Sequence, residues 1–570
     1  MLEAASRELT IGELVRYLLP EQGPPRFWPP PDVFAVAGSL LLQSGAYLKV
    51  VGDSRAWPPV GSRRRGFLAQ EPHGWAPAVR QLGRQWRENW PKEPPLPIRR
   101  WWRTIEGAGN RALHELRKDS KLWNALLQLC AAADEASMGL GFHGSQDLAD
   151  DEELDLLSYL TQQQLLRPEW VSLCRSIHPS RARVLPKCHT PQTGITLNSL
   201  THNLALCRSG DVRPVWNDYR GLLSGDVLNV LLFPSPGTVY PVQFKAAASA
   251  GLAEDFGLFT FQPHRDPAKQ SLEVELDRLY HEARKVTGKI DVVVLPELSL
   301  DKALYTKIRR WSQRHKVLLI CGVGELSPQG RAGRNYVAFD TVRQDGSPVP
   351  IQQFKHHRWQ LERSQIVRYG LGGQLNPERK WWEYIHPEER TLNFVSLRGG
   401  LTFCCLVCED LARQEPVAQI VRAVGPNLVI ALLMDGPQLA SRWPARYATV
   451  LADDPGSSVL TLTSIGMTAL SREAGSPTSR VVALWKDAKS GPAREIELPP
   501  GATGVVLAIT RWSGVEWTAD GRSDAGVAVT SYPSLAGVHP IELGSLPARR
   551  APRRKAGGRP ARPLGKRADG

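Results

Sequence analysis

The sequence predicts an α/β domain preceded by a mainly α-helical domain, and three observations carry that prediction. In residues 1–222, segments such as WAPAVRQLGRQWRENW and RALHELRKDSKLWNALLQLCAAADEA repeat apolar side chains three and four apart, the spacing of one-sided helices. From about residue 225 the texture changes to short apolar runs alternating with amphipathic stretches, as strands and helices in turn require. Length is the third: 570 residues exceed one ordinary domain. The chain therefore divides into a Trp-rich helical region over 1–222, an α/β domain over 223–547 and a basic tail over 548–570.

Taken in order, the helical region is broken into packets by the proline joints RFWPPPD and WPKEPPLPIRRWW. Many of the chain's 18 tryptophans lie here, and core filling accounts for them more simply than ligand stacking. In the second domain VLNVLLF reads as a strand, SLEVELDRLYHEARKV as an amphipathic helix, and IDVVVLPE as a strand apolar on successive residues, hence buried on both faces. A helix over KALYTKIRRWSQRHK follows, then strands VLLICGVGE, NYVAFDTV and VPIQQFK, with a turn at RQDGSP. The remaining elements are strand LTFCCLV, helix EPVAQIVRAV, strand NLVIALLM, a helix around ARYATVLADD, and strands VLTLTS and RVVALWK. The tail has almost no apolar bulk, cannot bury enough surface to fold, and is predicted to be disordered.

Composition narrows the function classes. With 42% hydrophobic and 22% charged residues the profile is that of a soluble globular protein. No basic leader with an apolar core opens the chain, and the run VFAVAGSLLL is far shorter than the roughly 20 residues that span a bilayer, so no membrane partner is expected. Eight cysteines in this pattern do not make a secreted disulfide framework, which favours a reducing, cytoplasmic setting. Net charge is +14, but nine Lys or Arg against one Asp from residue 547 onward put more than half of the excess in the tail. The tail reads first as a solubilising extension; the alternative is a weak, sequence-blind contact with a polyanion through residues 548–570. No GxxxxGK[ST] loop occurs, and Cys174, His178, Cys188, His189, His202 and Cys207 match no compact zinc spacing.

Three reactive residues share one place in this layout. Glu297 follows DVVVLP, Lys355 follows PVPIQQF and Cys408 follows LTFCCLV, each just past the C-terminal end of a strand, where open α/β sheets gather ligands. Alternation puts Cys404, Leu406 and Cys408 on one face and Cys405 and Val407 on the other; only Cys408 is late enough to reach a cleft.

These stretches resemble the nitrilase, or carbon-nitrogen hydrolase, superfamily, whose mark is a Glu, Lys, Cys triad in that chain order. The likeness rests on VVVLPELSL around Glu297, NYVAFDTVRQDGSPVPIQQFKHHRWQLE around Lys355 and LTFCCLVCEDLAR around Cys408, and runs to about residue 512. It does not cover the first 220 residues. Two stretches depart from the family pattern: the basic, aromatic loop KHHRWQLERSQIVRYG, and the segment after NLVIALLM, which lacks the usual small polar pocket residues. The resemblance implies a four-layer α-β-β-α sandwich, commonly a homo-oligomer, without cofactor or metal. It implies hydrolysis of a small-molecule, non-peptide amide through a thioester on Cys408, with transfer of the acyl group to an amine as the close variant. A nitrilase-fold sensing or binding protein, such as occurs in bacterial defence systems, is the alternative from another class.

The chemistry needs these residue types. A thiol with a pKa of roughly 8.5 is mostly protonated at neutral pH, so a base such as Glu297 must take its proton or a nearby cation such as Lys355 must lower its pKa. Lys355 and the backbone N–H of Glu409 would stabilise the oxyanion formed on attack. The resemblance also implies a further carboxylate downstream of the lysine, for which Glu362 is the candidate.

Overall fold

The computed structural model describes residues 8–19, 29–52, 75–90, 92–140, 172–207, 210, 212–219, 226–247, 253–263, 271–326, 332–342, 348–386, 390–397, 401–472, 475–488, 491–524 and 531–543. The tail expected at 548–570 lies outside them. The helical region contains helices Ile11–Leu18, Pro30–Ser44, Trp75–Asn89, Leu96–Glu106 and Ser120–Ala136. The last is rich in Ala and Leu and buried almost all round, so the second, third and fourth of these helices pack on it. Trp86 and Trp123 fill this core. The long helix suggested by RALHELRKDSKLWNALLQLCAAADEA is two elements: Asp119 accepts the backbone N–H groups of Lys121 and Leu122, capping a new helix after a short 3-10 turn over Leu113–Lys118.

Strands occur before the boundary expected at residue 222. Arg183–Pro186 and Leu204–Cys207 pair antiparallel, and Arg213–Tyr219 joins a large sheet parallel to Thr391–Leu397. Trp216 stacks on Phe394 there, with ring centroids 4.9 Å apart. A half-buried edge strand has too little apolar alternation to announce itself in sequence.

Two seven-stranded sheets face each other. One runs Pro348–Phe354, Arg334–Val342, Leu318–Glu325, Val292–Asp301, Val227–Leu232, Ala502–Ser513, Ser531–Glu542 in spatial order. The other runs Arg494–Glu497, Val481–Lys486, Ser458–Leu462, Leu428–Leu432, Leu401–Val407, Thr391–Leu397, Arg213–Tyr219. Residues such as Val230, Val294, Ile320, Phe339, Phe403, Cys405 and Val407 fill the space between them. The opposite faces are covered by helices, Leu272–Thr287 and Lys302–His315 on the first sheet and Gln419–Val424 and Trp443–Asp453 on the second. The layering is therefore helix, sheet, sheet, helix, reminiscent of the nitrilase sandwich. Cys404, Leu406 and Cys408 pack on the helix side and Cys405 and Val407 between the sheets, as alternation requires.

A small third sheet, Gln360–Leu361, Lys380–Glu383, Phe256–Phe261 and Phe244–Ala247, was not legible as strands. Its aromatic face (Phe244, Phe259, Trp381) packs with Leu298, Tyr369, Met434 and Met467 over one edge of the two large sheets.

Candidate active site

The strand Val292–Asp301 pairs in parallel with Leu318–Glu325, but the register shifts between Leu295 and Leu300. Glu297 lies in that bulge, followed by Leu298 at φ +53°, a left-handed conformation that costs a branched residue energy. Gly322 on the neighbouring strand leaves room for it, since any Cβ there would overlap Glu297 Cα and Pro296 O. The bulge turns Glu297 into a buried cluster instead of along the sheet.

Lys355 closes the strand Pro348–Phe354 and is buried. Its Nζ donates to Glu297 Oε1 at 2.9 Å and to Glu383 Oε2 at 2.7 Å. The amide of Asn335 donates to both carboxylates as well, at 2.7 and 2.8 Å, and the Trp359 N–H donates to Glu383. One ammonium thus bridges two carboxylates. The second oxygen of Glu297 and the carbonyl oxygen of Asn335 are buried and make no hydrogen bond among the described residues.

Cys408 follows Leu401–Val407 at φ +46° and opens the 3-10 turn Cys408–Leu411. That turn is held against the Lys355 loop by Asp410. Its buried carboxylate accepts the N–H groups of His356 and His357 and contacts His357 Nδ1 at 2.8 Å. Gln353 ties the sheets together two residues earlier, donating to Cys405 O and accepting from the Asn393 N–H. The Glu409 side chain pairs with Arg413 on the surface side, while its N–H lies at the start of the turn, where backbone donors have no partner within the turn.

The electrostatics follow from this packing. Burial alone would lower Lys355, but the carboxylates of Glu297 and Glu383 outweigh it and push the ammonium well above the ordinary lysine value. Burial raises Glu297 above the usual carboxylate range against the pull of Lys355 and with the push of Glu383. Burial, then the Glu297 charge, push the Cys408 thiol up, with Lys355 pulling the other way. The structure therefore brings Glu297 and Lys355 into contact and places Cys408 where both charges act on its thiol.

Glu362 does not join them. It is exposed at the N-terminus of the short helix Arg363–Arg368, its N–H bonded to Gln365. The carboxylate beside Lys355 is Glu383, in the strand KWWE. An acid in the aromatic run WWEY was the available signal, because a charge in such a strand needs a partner. The cysteines and histidines between 174 and 207 have other occupations: His189 meets Glu516 at 3.1 Å, His202 meets Thr190, and His178 meets Ser180.

No family model matches the chain, and no curated protein matches it. Among solved structures it is similar to Saccharomyces cerevisiae Nit3, a member of branch 10 of the nitrilase superfamily. Identity there is 13% over 48% of this chain and 91% of that one, at a TM-score of 0.29. A carbon-nitrogen hydrolase from Helicobacter pylori G27 shows 13% identity over 56% of this chain and 90% of that one, at 0.25. The C. elegans NitFhit protein shows 12% over 48% and 59%, at 0.28. The likeness is distant, consistent and confined to part of the chain. At such scores it decides nothing about activity, and the site's own geometry must do so.

No helix among the described residues is long and apolar enough to cross a membrane.

Proposed function

We propose that the protein hydrolyses a non-peptide carbon-nitrogen bond by way of a thioester on Cys408. The observation that carries this reading is the buried Glu297 oxygen that makes no hydrogen bond among the described residues, with the Glu297 charge acting on the Cys408 thiol. A carboxylate oxygen so placed is a ready acceptor for the thiol proton. In the first step the Cys408 proton passes to Glu297 as sulfur bonds to the amide carbon. Lys355 and the Glu409 N–H then share the charge on the oxygen. Collapse of the tetrahedral intermediate breaks the carbon-nitrogen bond, and Glu297 returns its proton to the departing amine. Water, deprotonated by Glu297, then cleaves the thioester, releasing acid and restoring the thiol. Passing the acyl group to a second amine would use the same thioester. Glu383 touches Lys355 and Asn335 and positions them.

The test is an untargeted screen of small-molecule amides with wild type and Cys408→Ala, read as amine release and as the mass of the Cys408 peptide. We expect release only with wild type, and an acyl mass on that peptide under rapid quench. Equal release by Cys408→Ala contradicts the reading.

A further inference from the structure

The segment after the strand Leu428–Leu432 departs from the family pattern, and the structure gives the departure a place. Val407 is the register partner of Leu432, which in turn pairs with Leu462. Cys408 and Leu433 therefore leave adjacent parallel strands side by side, about 5 Å apart. Asp435 comes two residues later, at the same sheet edge. Its backbone oxygen is fixed by Thr463 Oγ1 at 2.6 Å, beyond the end of the third strand. Its buried carboxylate accepts Arg442 Nη2 at 3.0 Å on one oxygen and Trp443 Nε1 at 2.9 Å on the other. Each oxygen keeps one further acceptor position.

The roof over this edge supplies a second polar group. Tyr369 is buried in the same aromatic cluster as Met434, against Trp359, and its hydroxyl makes no hydrogen bond among the described residues. The charge of Asp435 acts on both the Tyr369 hydroxyl and the Cys408 thiol. Apolar walls with a few fixed polar groups are what orient a small ligand.

Resting on the reading of Cys408 as nucleophile, we propose that Asp435 and Tyr369 form the acyl-recognition end of its pocket. They favour a substrate whose acyl half presents an N–H donor, an ammonium or an amide, over one that presents a carboxylate. Arg442 neutralises Asp435 without occupying its remaining acceptor positions, so a buried acid can stand there and still receive a donor.

Two small alkylating agents of opposite character test this without a known substrate. Iodoacetamide offers N–H donors and iodoacetate a negative charge. Their rate ratio at Cys408, divided by the ratio for glutathione, measures the pocket's preference. We expect wild type to favour iodoacetamide by about tenfold beyond glutathione, since the open acceptor positions of the Arg442-paired Asp435 receive an N–H and give a carboxylate no donor. Asp435→Asn should remove most of that preference, and Tyr369→Phe, which cannot upset the ion pair, should reduce it severalfold. An unchanged ratio in both variants with Cys408 still labelled overturns this inference alone. Failure of both reagents to reach Cys408 overturns it together with the function proposed above.

Discussion

Two buried ion clusters in this molecule each lie beside a cysteine, and they are built differently. In the helical region Arg522 is fully buried and bonds Glu135 Oε1 at 2.5 Å, both oxygens of Asp520 and the Leu200 carbonyl, with Asp134 at 3.5 Å. Asp134 in turn accepts the N–H groups of His202, Asn203 and Leu204. No buried side-chain oxygen or nitrogen of this cluster is left without a partner. Cys130 sits beside it in the middle of a helix, with burial pushing its thiol up. Around Lys355 the same ingredients leave Glu297 Oε2 and Asn335 Oδ1 unmatched, and the neighbouring cysteine stands at a strand end in a left-handed conformation. A saturated network is architecture, here fastening residues 516–524 to the helix Ser120–Ala136. An unsaturated one keeps room for a reactant.

The comparison breaks most sharply at catalysis. Glu297→Gln and Lys355→Met should each lower turnover of the amide found by the screen by about 10²–10⁴-fold. Their urea midpoints should shift less than that of Arg522→Met, because Lys355 keeps Glu383 in the first variant and Glu297 and Glu383 can share a proton in the second. Arg522→Met comes next: three acids lose their shared cation, and stability should fall by about 3–5 kcal/mol in urea unfolding.

Glu516 gives a pH signature to the architectural side. Burial alone would raise it, but hydrogen bonds from His189, Tyr532 and the Thr190 N–H outweigh burial and bring it from 4.5 down to about 2. A depressed acid stabilises the fold above its unfolded pKa, and that contribution disappears as pH falls from 4.5 towards 2. It amounts to about 3 kcal/mol at 1.36 kcal/mol per unit. Glu516→Gln should flatten this part of the acid limb of stability, measured by denaturant melts between pH 2 and 6. Smallest is the strain at Cys408, the proposed nucleophile. Cys408→Gly should raise stability by about 1 kcal/mol while removing activity, because glycine accepts φ +46° freely.

How much of this was legible depends on the distance over which each signal acts. Strands such as VVVLP and LTFCCLV announce themselves by local apolar runs, and Lys355 and Cys408 follow their strands as expected, whereas Glu297 lies inside its strand, in a bulge that no local run announces. Glu383 could not, because its partners Lys355 and Asn335 lie 28 and 48 residues away and meet it only through the small third sheet. The family resemblance, which implies a carboxylate downstream of the lysine, pointed to Glu362 instead, and that residue stands at an exposed helix end. The edge strand Arg213–Tyr219 was hidden for a related reason: its partner is Thr391–Leu397, far downstream. Asp410 holds the loop after Lys355 through the N–H groups of His356 and His357, a contact over more than 50 residues that only the fold reveals.

The central claim is that Cys408, and not another buried thiol beside charge, is chemically competent. All eight cysteines are free and buried, so peptide mapping after brief iodoacetamide treatment of the native protein at neutral pH compares them directly. The account predicts that Cys408 is modified first, that Glu297→Gln slows its modification, and that Cys130 stays unmodified until the protein unfolds. Modification of Cys130, Cys404 or Cys405 ahead of Cys408, or a rate at Cys408 indifferent to Glu297→Gln, would contradict it.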